Sequence, residues 1–199
     1  MKNLYRFLII SLFGFSVLGC INTERQMPRQ YAFDIPKPPK IYHQTKSKVL
    51  EINNVTAVSQ FSSLTFVYRI SELNYLVDYY NVFFTPPAQQ INNIIVNYLQ
   101  TKNIFSYVGN DAGQLKISYI LYPEITALYA DYRDAKHPQA VIALDCTLFS
   151  MQKKSFPLMH KLYIAKINLI AKDSDNLMHA WNQGLQQILS DLSGDLTKF

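Results

Sequence analysis

Leu64-Thr65-Phe66-Val67-Tyr68-Arg69-Ile70, then Ser71-Glu72-Leu73-Asn74, then Tyr75-Leu76-Val77-Asp78-Tyr79-Tyr80 is the stretch on which the fold turns. Leu64, Phe66, Tyr68 and Ile70 alternate with polar or β-branched neighbours, the period of a strand with one buried face. The polar tetrad that follows reads as a turn, and Tyr75–Tyr80 returns as the second arm of a hairpin. Asn81-Val82-Phe83-Phe84 then leads to Thr85-Pro86, where the period changes. Ile91, Ile94, Ile95, Tyr98 and Leu99 recur at helical spacing, so this helix carries one apolar stripe. Thr85 is the expected cap and Pro86 the first helical residue, where a missing amide proton costs nothing. A hairpin that runs into a one-faced helix calls for a sheet with helices packed against it.

The remaining elements extend that reading in both directions. Val49-Leu50-Glu51-Ile52 is a weak strand upstream. Downstream, Ile104–Val108 is a short strand, and Gly109-Asn110-Asp111-Ala112-Gly113 is a turn. Leu115, Ile117, Tyr119, Leu121, Ile125, Ala127 and Tyr129 alternate through a long strand interrupted by Pro123. Proline cannot donate to a ladder, so a bulge or an edge is expected there. Asp131–Pro138 is a polar loop, and Gln139–Met151 and His160–Leu169 are two more strands. Asp173-Ser174-Asp175 caps a last helix whose stripe is Leu177, Trp181, Leu185, Ile188 and Leu192. The expected fold class is α/β, a mixed sheet with two packed helices.

The N-terminal part has a different composition. Lys2 and Arg6 precede the apolar run Phe7–Leu18, and Gly19-Cys20 closes it. A basic start, an apolar middle and a small residue at the end are the parts of a secretory signal. The run is shorter than the ~20 apolar residues of a spanning helix. From Cys20 to Lys48 the chain is polar, with Pro28, Pro36, Pro38 and Pro39, and reads as an extended tether. Tyr31, Phe33 and Ile35 alternate inside it, compatible with a short edge strand. The expected organisation is a signal over residues 1–19, a tether over 20–48 and a folded domain over 49–199.

Composition narrows the function classes. Of 199 residues, 49% are hydrophobic, enough for a real core, and 14 Tyr with 12 Phe make the chain aromatic. The formal charge is +5, and removal of Lys2 and Arg6 with the signal leaves +3. No Lys/Arg run of the kind that binds nucleic acid is present. Cys146 alternates with Ile142, Leu144 and Leu148 and reads as a small buried hydrophobe. With only Cys20 beside it, no disulfide framework exists. There is no phosphate-binding G-x-x-x-x-G-K-[ST] loop, G-x-S-x-G elbow, H-E-x-x-H pair or C-x-x-C. Asp131, Asp134 and His137 follow one another at three-residue steps and read as a solvated loop rather than a ligand set. The chain is therefore expected to be no enzyme and to need no cofactor or metal.

Several blocks together carry a family resemblance. Val17-Leu18-Gly19-Cys20 is similar to the lipobox of bacterial lipoproteins, which implies a lipid on Cys20. Phe66-Val67-Tyr68-Arg69, Tyr75, Asp78-Tyr79-Tyr80-Asn81 and Thr85-Pro86-Pro87 follow, then Ala127-Leu128-Tyr129-Ala130-Asp131-Tyr132-Arg133-Asp134 and Pro138-Gln139-Ala140-Val141. In this order they resemble the ABC-type transport auxiliary lipoproteins, which accompany MCE lipid-transport systems in Gram-negative envelopes. The resemblance covers Leu64 to the final helix. It implies a fold like the N-terminal, anticodon-binding-like domain of TolB. It also implies a noncatalytic role: docking to the MCE-domain protein of an inner-membrane ABC transporter, with the membrane reached through the lipid. Ile21 stands where lipoproteins kept in the inner membrane have Asp, so the outer membrane, periplasmic face, is the expected location. A structural assembly lipoprotein of an envelope or secretion complex is the alternative. Homo-oligomerisation stays open.

Candidate partner-binding residues come from the same blocks: Tyr68, Arg69, Tyr79, Tyr80, Asn81, Phe83, Pro86, Pro87, Asp131, Tyr132 and Arg133. Tyr, Phe and Arg are the types that dominate interface centres. The aromatic block Tyr75, Tyr79, Tyr80, Phe83 and Phe84 also reads as core, since alternation alone buries about half of a strand. Arg69 and Asp78 are expected to pair across the hairpin.

Overall fold

The structure is a computed structural model that describes residues 27–36, 39, 46–152 and 156–199. The expected signal and Cys20 lie outside the described residues. In chain order the strands are β1 (Arg29–Tyr31), β2 (Lys46–Ile52), β3 (Thr56–Ala57), β4 (Thr65–Arg69) and β5 (Tyr75–Phe83). Helix α1 (Pro87–Lys102) follows, then β6 (Phe105–Gly109), β7 (Tyr119–Asp131), β8 (Gln139–Ser150), β9 (Met159–Asn168) and helix α2 (Ser174–Leu196).

These strands all belong to one sheet built on β7. One side of β7 pairs antiparallel with β8 along its whole length, and β8 pairs antiparallel with β9. Its other side is shared by three parallel partners in succession: β2 as far as Leu121, β3 at Glu124 and Ile125, and β4 at Ala130 and Asp131. The sheet therefore forks, with β2–β6 on one branch and β4–β5–β1 on the other. Pro123 sits in the gap between β2 and β3, where the ladder on that side asks nothing of it. The strand is central, not an edge, and its bulge lies further on, between Ile125 and Ala127.

The helices cover one face of the sheet. In α1, Ile91, Ile95, Tyr98 and Leu99 are buried, as the stripe requires. The cap is Pro86 and the first helical residue Pro87, one position later than expected; Thr85 instead offers its carbonyl to Gln90 Nε2 at 2.7 Å. The helix ends at Asn103 in the left-handed region (φ 53°), one of the few residue types that tolerate it. In α2, Asp173 accepts the Asn176 amide at 2.8 Å as the N-cap, and Leu177, Trp181, Leu185, Ile188 and Leu192 are buried. Gly184 lets α2 lie close to the sheet: a Cβ there would meet Ile142 at 2.8 Å and Ala165 at 3.1 Å.

Trp181 is the centre of the core. Its ring packs edge-on against Phe66 at 5.0 Å and tilted against Phe83 at 5.6 Å, and Phe66 meets Phe83 at 4.7 Å. Tyr31 adds to Phe66 at 5.2 Å, and Phe33 stacks on Phe83 at 5.8 Å. The indole N–H donates to the Val141 carbonyl at 3.2 Å, so the one polar atom of the buried ring is satisfied.

This cluster corrects the expected tether. Arg29–Tyr31 is a parallel edge strand on Asn81–Phe83, and Phe33 is buried. The Phe33 amide donates to Gln90 Oε1 of α1 at 2.8 Å, and the Asp34 amide to Asn182 Oδ1 of α2 at 3.0 Å. Residues 29–35 are thus part of the fold, because two aromatic rings in a polar segment gain more by filling the core than the ordering of a short strand costs.

Trp181→Ala and Phe83→Ala should each destabilise the domain by about 3–5 kcal/mol, the cost of deleting a buried ring. Urea unfolding measures this as a lower midpoint at unchanged slope. An unchanged midpoint would remove the aromatic cluster from the core.

Candidate partner-binding surface

The β4–β5 hairpin positions most of the candidate residues. Its ladder runs Arg69–Tyr75, Val67–Val77 and Phe66–Asp78, and then Thr65 pairs with Val82. Between those last two pairs β5 carries Tyr79, Tyr80 and Asn81 as extra residues, a large bulge. Asp78 holds it. Its Oδ1 accepts the amides of Tyr80 (2.8 Å) and Asn81 (3.1 Å), and its Oδ2 accepts Asn81 Nδ2 (2.7 Å) and the Tyr68 hydroxyl (2.5 Å). The Asp-Tyr-Tyr-Asn block is therefore a bulge motif: an acceptor at its start, a donor amide at its end, and two tyrosines thrown outward. Tyr79 is 73% exposed and Tyr80 62%.

Electrostatics agree with the geometry. Burial alone would raise the Asp78 carboxyl, but the hydrogen bonds from Tyr68, Asn81 and the two amides outweigh it and hold its pKa below the usual range. Burial, and then the hydrogen bond to Asp78, push the Tyr68 phenol well above its ordinary value, so it stays a donor.

Among the described residues the outer edge of β5 is open ahead of the bulge. The Ile70 amide donates to the Asn74 carbonyl at 3.0 Å, and antiparallel alternation then turns Leu76 and Asp78 toward β4 and leaves the backbone groups of Tyr75 and Val77 pointing outward. Among the described residues no strand pairs with them, since β1 reaches only to Asn81. Tyr75, Leu76 and Val77 are exposed.

A second group of candidates gathers at the adjoining end of the sheet. Arg133 grips Asp131 with Nε (2.9 Å) and Nη2 (2.7 Å) and reaches Glu72 on the hairpin turn with Nη1 (2.6 Å). Arg69 completes the chain to Glu72 at 3.1 Å. The Arg133 guanidinium holds the Asp131 carboxyl below its usual range. Tyr132 stacks on Tyr68 at 5.5 Å, and the Lys172 ammonium lies 5.4 Å from the Tyr132 ring. Arg69 therefore pairs with Glu72 and not with Asp78, because their register places them on opposite faces of the hairpin.

Two candidates belong elsewhere. Phe83 is 2% exposed and sits in the aromatic core, and Pro87 is buried at the start of α1; neither can meet a partner. Pro86 is exposed as the cap of that helix. Residues that sequence reasoning passed over include Glu72, which ties the hairpin turn to the β7–β8 loop, and Leu73 and Val77, which are exposed. The one legible signal for Leu73 was an aliphatic residue in an otherwise polar turn. Of the loop residues weighed as ligands, His137 Nδ1 lies 2.8 Å from Asp134, while Asp131 is committed to Arg133. Cys146 is fully buried, and burial pushes its thiol up to about 12.

Asp78→Ala should lower stability by about 1–3 kcal/mol and Tyr68→Phe by about 1 kcal/mol, with the double variant losing less than the sum. The depressed carboxyl contributes fully above its unfolded value of about 3.9 and loses that contribution as pH falls through its folded value. Urea midpoints of the parent and Asp78→Ala chains should therefore converge in acid. A gap that persists at the lowest pH would remove the carboxylate from this role.

No family model matches the sequence, and no curated protein matches it. Solved structures do match. A protein of Xanthomonas campestris, XCC0632, described as family DUF330, superposes with a TM-score of 0.74 at 16% identity, over 85% of this chain and 95% of that one. An uncharacterized protein gives 0.68 at 16% identity, over 85% and 99%. The hypothetical protein CT253 of Chlamydia trachomatis gives 0.53 at 10% identity, over 75% and 97%. At these identities the likeness is one of fold: a mixed sheet carrying two helices, shared with a DUF330 protein.

Proposed function

We propose that this protein is a lipid-anchored periplasmic accessory subunit of an ABC-type MCE lipid-transport system. In this reading Cys20 carries the lipid that holds it to the outer membrane, and the domain binds the transporter's periplasmic MCE-domain protein. It works by binding and not by turnover. The observation that carries the reading is the bulge locked by Asp78, which presents Tyr79 and Tyr80 beside a strand edge at Tyr75 and Val77 that no described residue pairs. An open edge offers main-chain hydrogen bonds to an added strand, and neighbouring side chains give specificity. Tyrosine offers a large rigid area with a polar tip at little entropic cost. Natural sheets usually blunt such an edge with charge or proline. Here Tyr75, Leu76 and Val77 leave it apolar, which supports a partner that covers it.

Capture of the purified periplasmic MCE-domain protein tests the binding half. Tyr79→Ala combined with Tyr80→Ala should weaken capture more than about tenfold, the loss of at least one true anchor, without lowering the thermal unfolding temperature. Full-strength capture by a stable double variant would place the interface elsewhere. Metabolic labelling with a fatty acid tests the anchor: label should enter the parent chain and be lost in Cys20→Ser.

A further inference from the structure

The sheet has one end at which the chain turns repeatedly. β4 leads there into the turn at 71–74, β7 into the loop before β8, and β9 into the loop before α2. These three are tied together. The Tyr132 amide donates to the Arg69 carbonyl at 2.8 Å, the Leu169 amide to the Pro138 carbonyl at 2.8 Å, and Arg133 bridges to Glu72. Two aliphatic side chains in the turns at this end stand clear of the core that the described residues form. Leu73 is 94% exposed and Ile170 96%.

Met27, ahead of β1, lies near the loop that leads from β9 into α2. β1 runs parallel to β5, so its first residue, Arg29, is the one nearest the hairpin turn. Met27, 90% exposed, lines an open hollow of about 580 Å³ with Arg29, Tyr80, Asn81 and the first residues of α2, Asp173 and Ser174. Between Cys20 and Met27 stand only residues 21–26. At no more than about 3.6 Å per residue, seven steps hold Met27 within about 25 Å of Cys20.

We infer that this end of the domain, tipped by Leu73 and Ile170, rests on the lipid surface, the two side chains entering the boundary between headgroups and acyl chains. The inference rests on the lipidation of Cys20 proposed above. A lipid on Cys20 keeps the bilayer within about 25 Å of Met27, and the strand registers set Met27 nearer this end than the opposite end of the sheet at Tyr119. Isolated aliphatic tips gain free energy by leaving water for that boundary, as the apolar faces of interfacial segments do. The edge of β5 that is open among the described residues is left facing sideways.

The test uses the full lipidated chain in vesicles of phosphatidylethanolamine and phosphatidylglycerol. A polarity-sensitive NBD label is placed through maleimide on Leu73→Cys, on Ile170→Cys or on Gln114→Cys, an exposed position ahead of β7 at the opposite end. Cys146 is buried and a lipidated Cys20 has no thiol, so the unsubstituted chain should take no label. Labels at 73 and 170 should shift to the blue and lose emission when the vesicles carry quencher lipids, while the label at 114 does neither. Equal behaviour at all three positions would overturn the inference. Blue-shifted labels at 73 and 170 that lipid quenchers do not reach would also overturn it, assigning this end to a protein. Label taken up by the unsubstituted chain at Cys20 would instead refute the anchor, and the inference with it.

Discussion

The ring of Trp181 against Phe66 and Phe83 is the contact on which the arrangement depends. It joins α2 to β4 and β5, and through Phe33 and Tyr31 it draws in the segment ahead of β2. Four separate stretches of chain meet in one aromatic cluster, and each buries a ring that no neighbour in its own element could cover. Deleting any one ring leaves a void faced by the others, and interiors packed at crystal density relax only partly around such a void. The branch β4–β5–β1 is attached to β7 by a short parallel pairing at Ala130 and Asp131. Its position over the helices is therefore set less by the ladder than by this cluster.

That branch is also where the surface features lie. Its inner side is core, and its outer side carries the bulge, the open edge and the hairpin turn. Alternation along β5 alone would have turned Tyr79 and Tyr80 to opposite faces. The Asp78 carboxylate captures two amides and the Asn81 side chain, which takes three residues out of the ladder with β4 and leaves both tyrosines exposed. Among the described residues the resulting strand is paired on its outer side only by three residues of β1. A buried inner face keeps the branch in place, while among the described residues its outer edge ahead of the bulge stays open.

The same cluster shortens the link between Cys20 and the domain. Because Tyr31 and Phe33 are pulled into the core, the chain joins the fold near Met27, not near Val49. The prolines at 36, 38 and 39 then belong to a connection between β1 and β2 and do nothing to lengthen the reach from Cys20. A long flexible tether would leave the orientation of the domain unconstrained; a short one favours one end.

The sequence by itself determined the fold class and most of the secondary elements, since these follow from periods that local sterics impose, though not β3 or the first residues of β2. The stripe of α1, the Asp173 cap and stripe of α2, the β4–β5 hairpin and the strands β6 to β9 all stand close to where alternation and helical spacing put them. It also singled out the Asp-Tyr-Tyr-Asn block, though not as a bulge. What only the tertiary structure decided are matters of register and of which face meets what. Phe83 and Tyr80 are both aromatic residues of one strand, and local sequence cannot say that the bulge places one in the core and the other in water. Arg69 chooses Glu72 over Asp78 because the ladder puts Asp78 on the other face. Phe33 looked like part of a polar tether because the groups that hold it and its neighbour Asp34 in place, Phe83, Gln90 and Asn182, come from elements 50 to 148 residues away. Local period is a property of adjacent residues, whereas burial is a property of whatever the rest of the chain brings alongside.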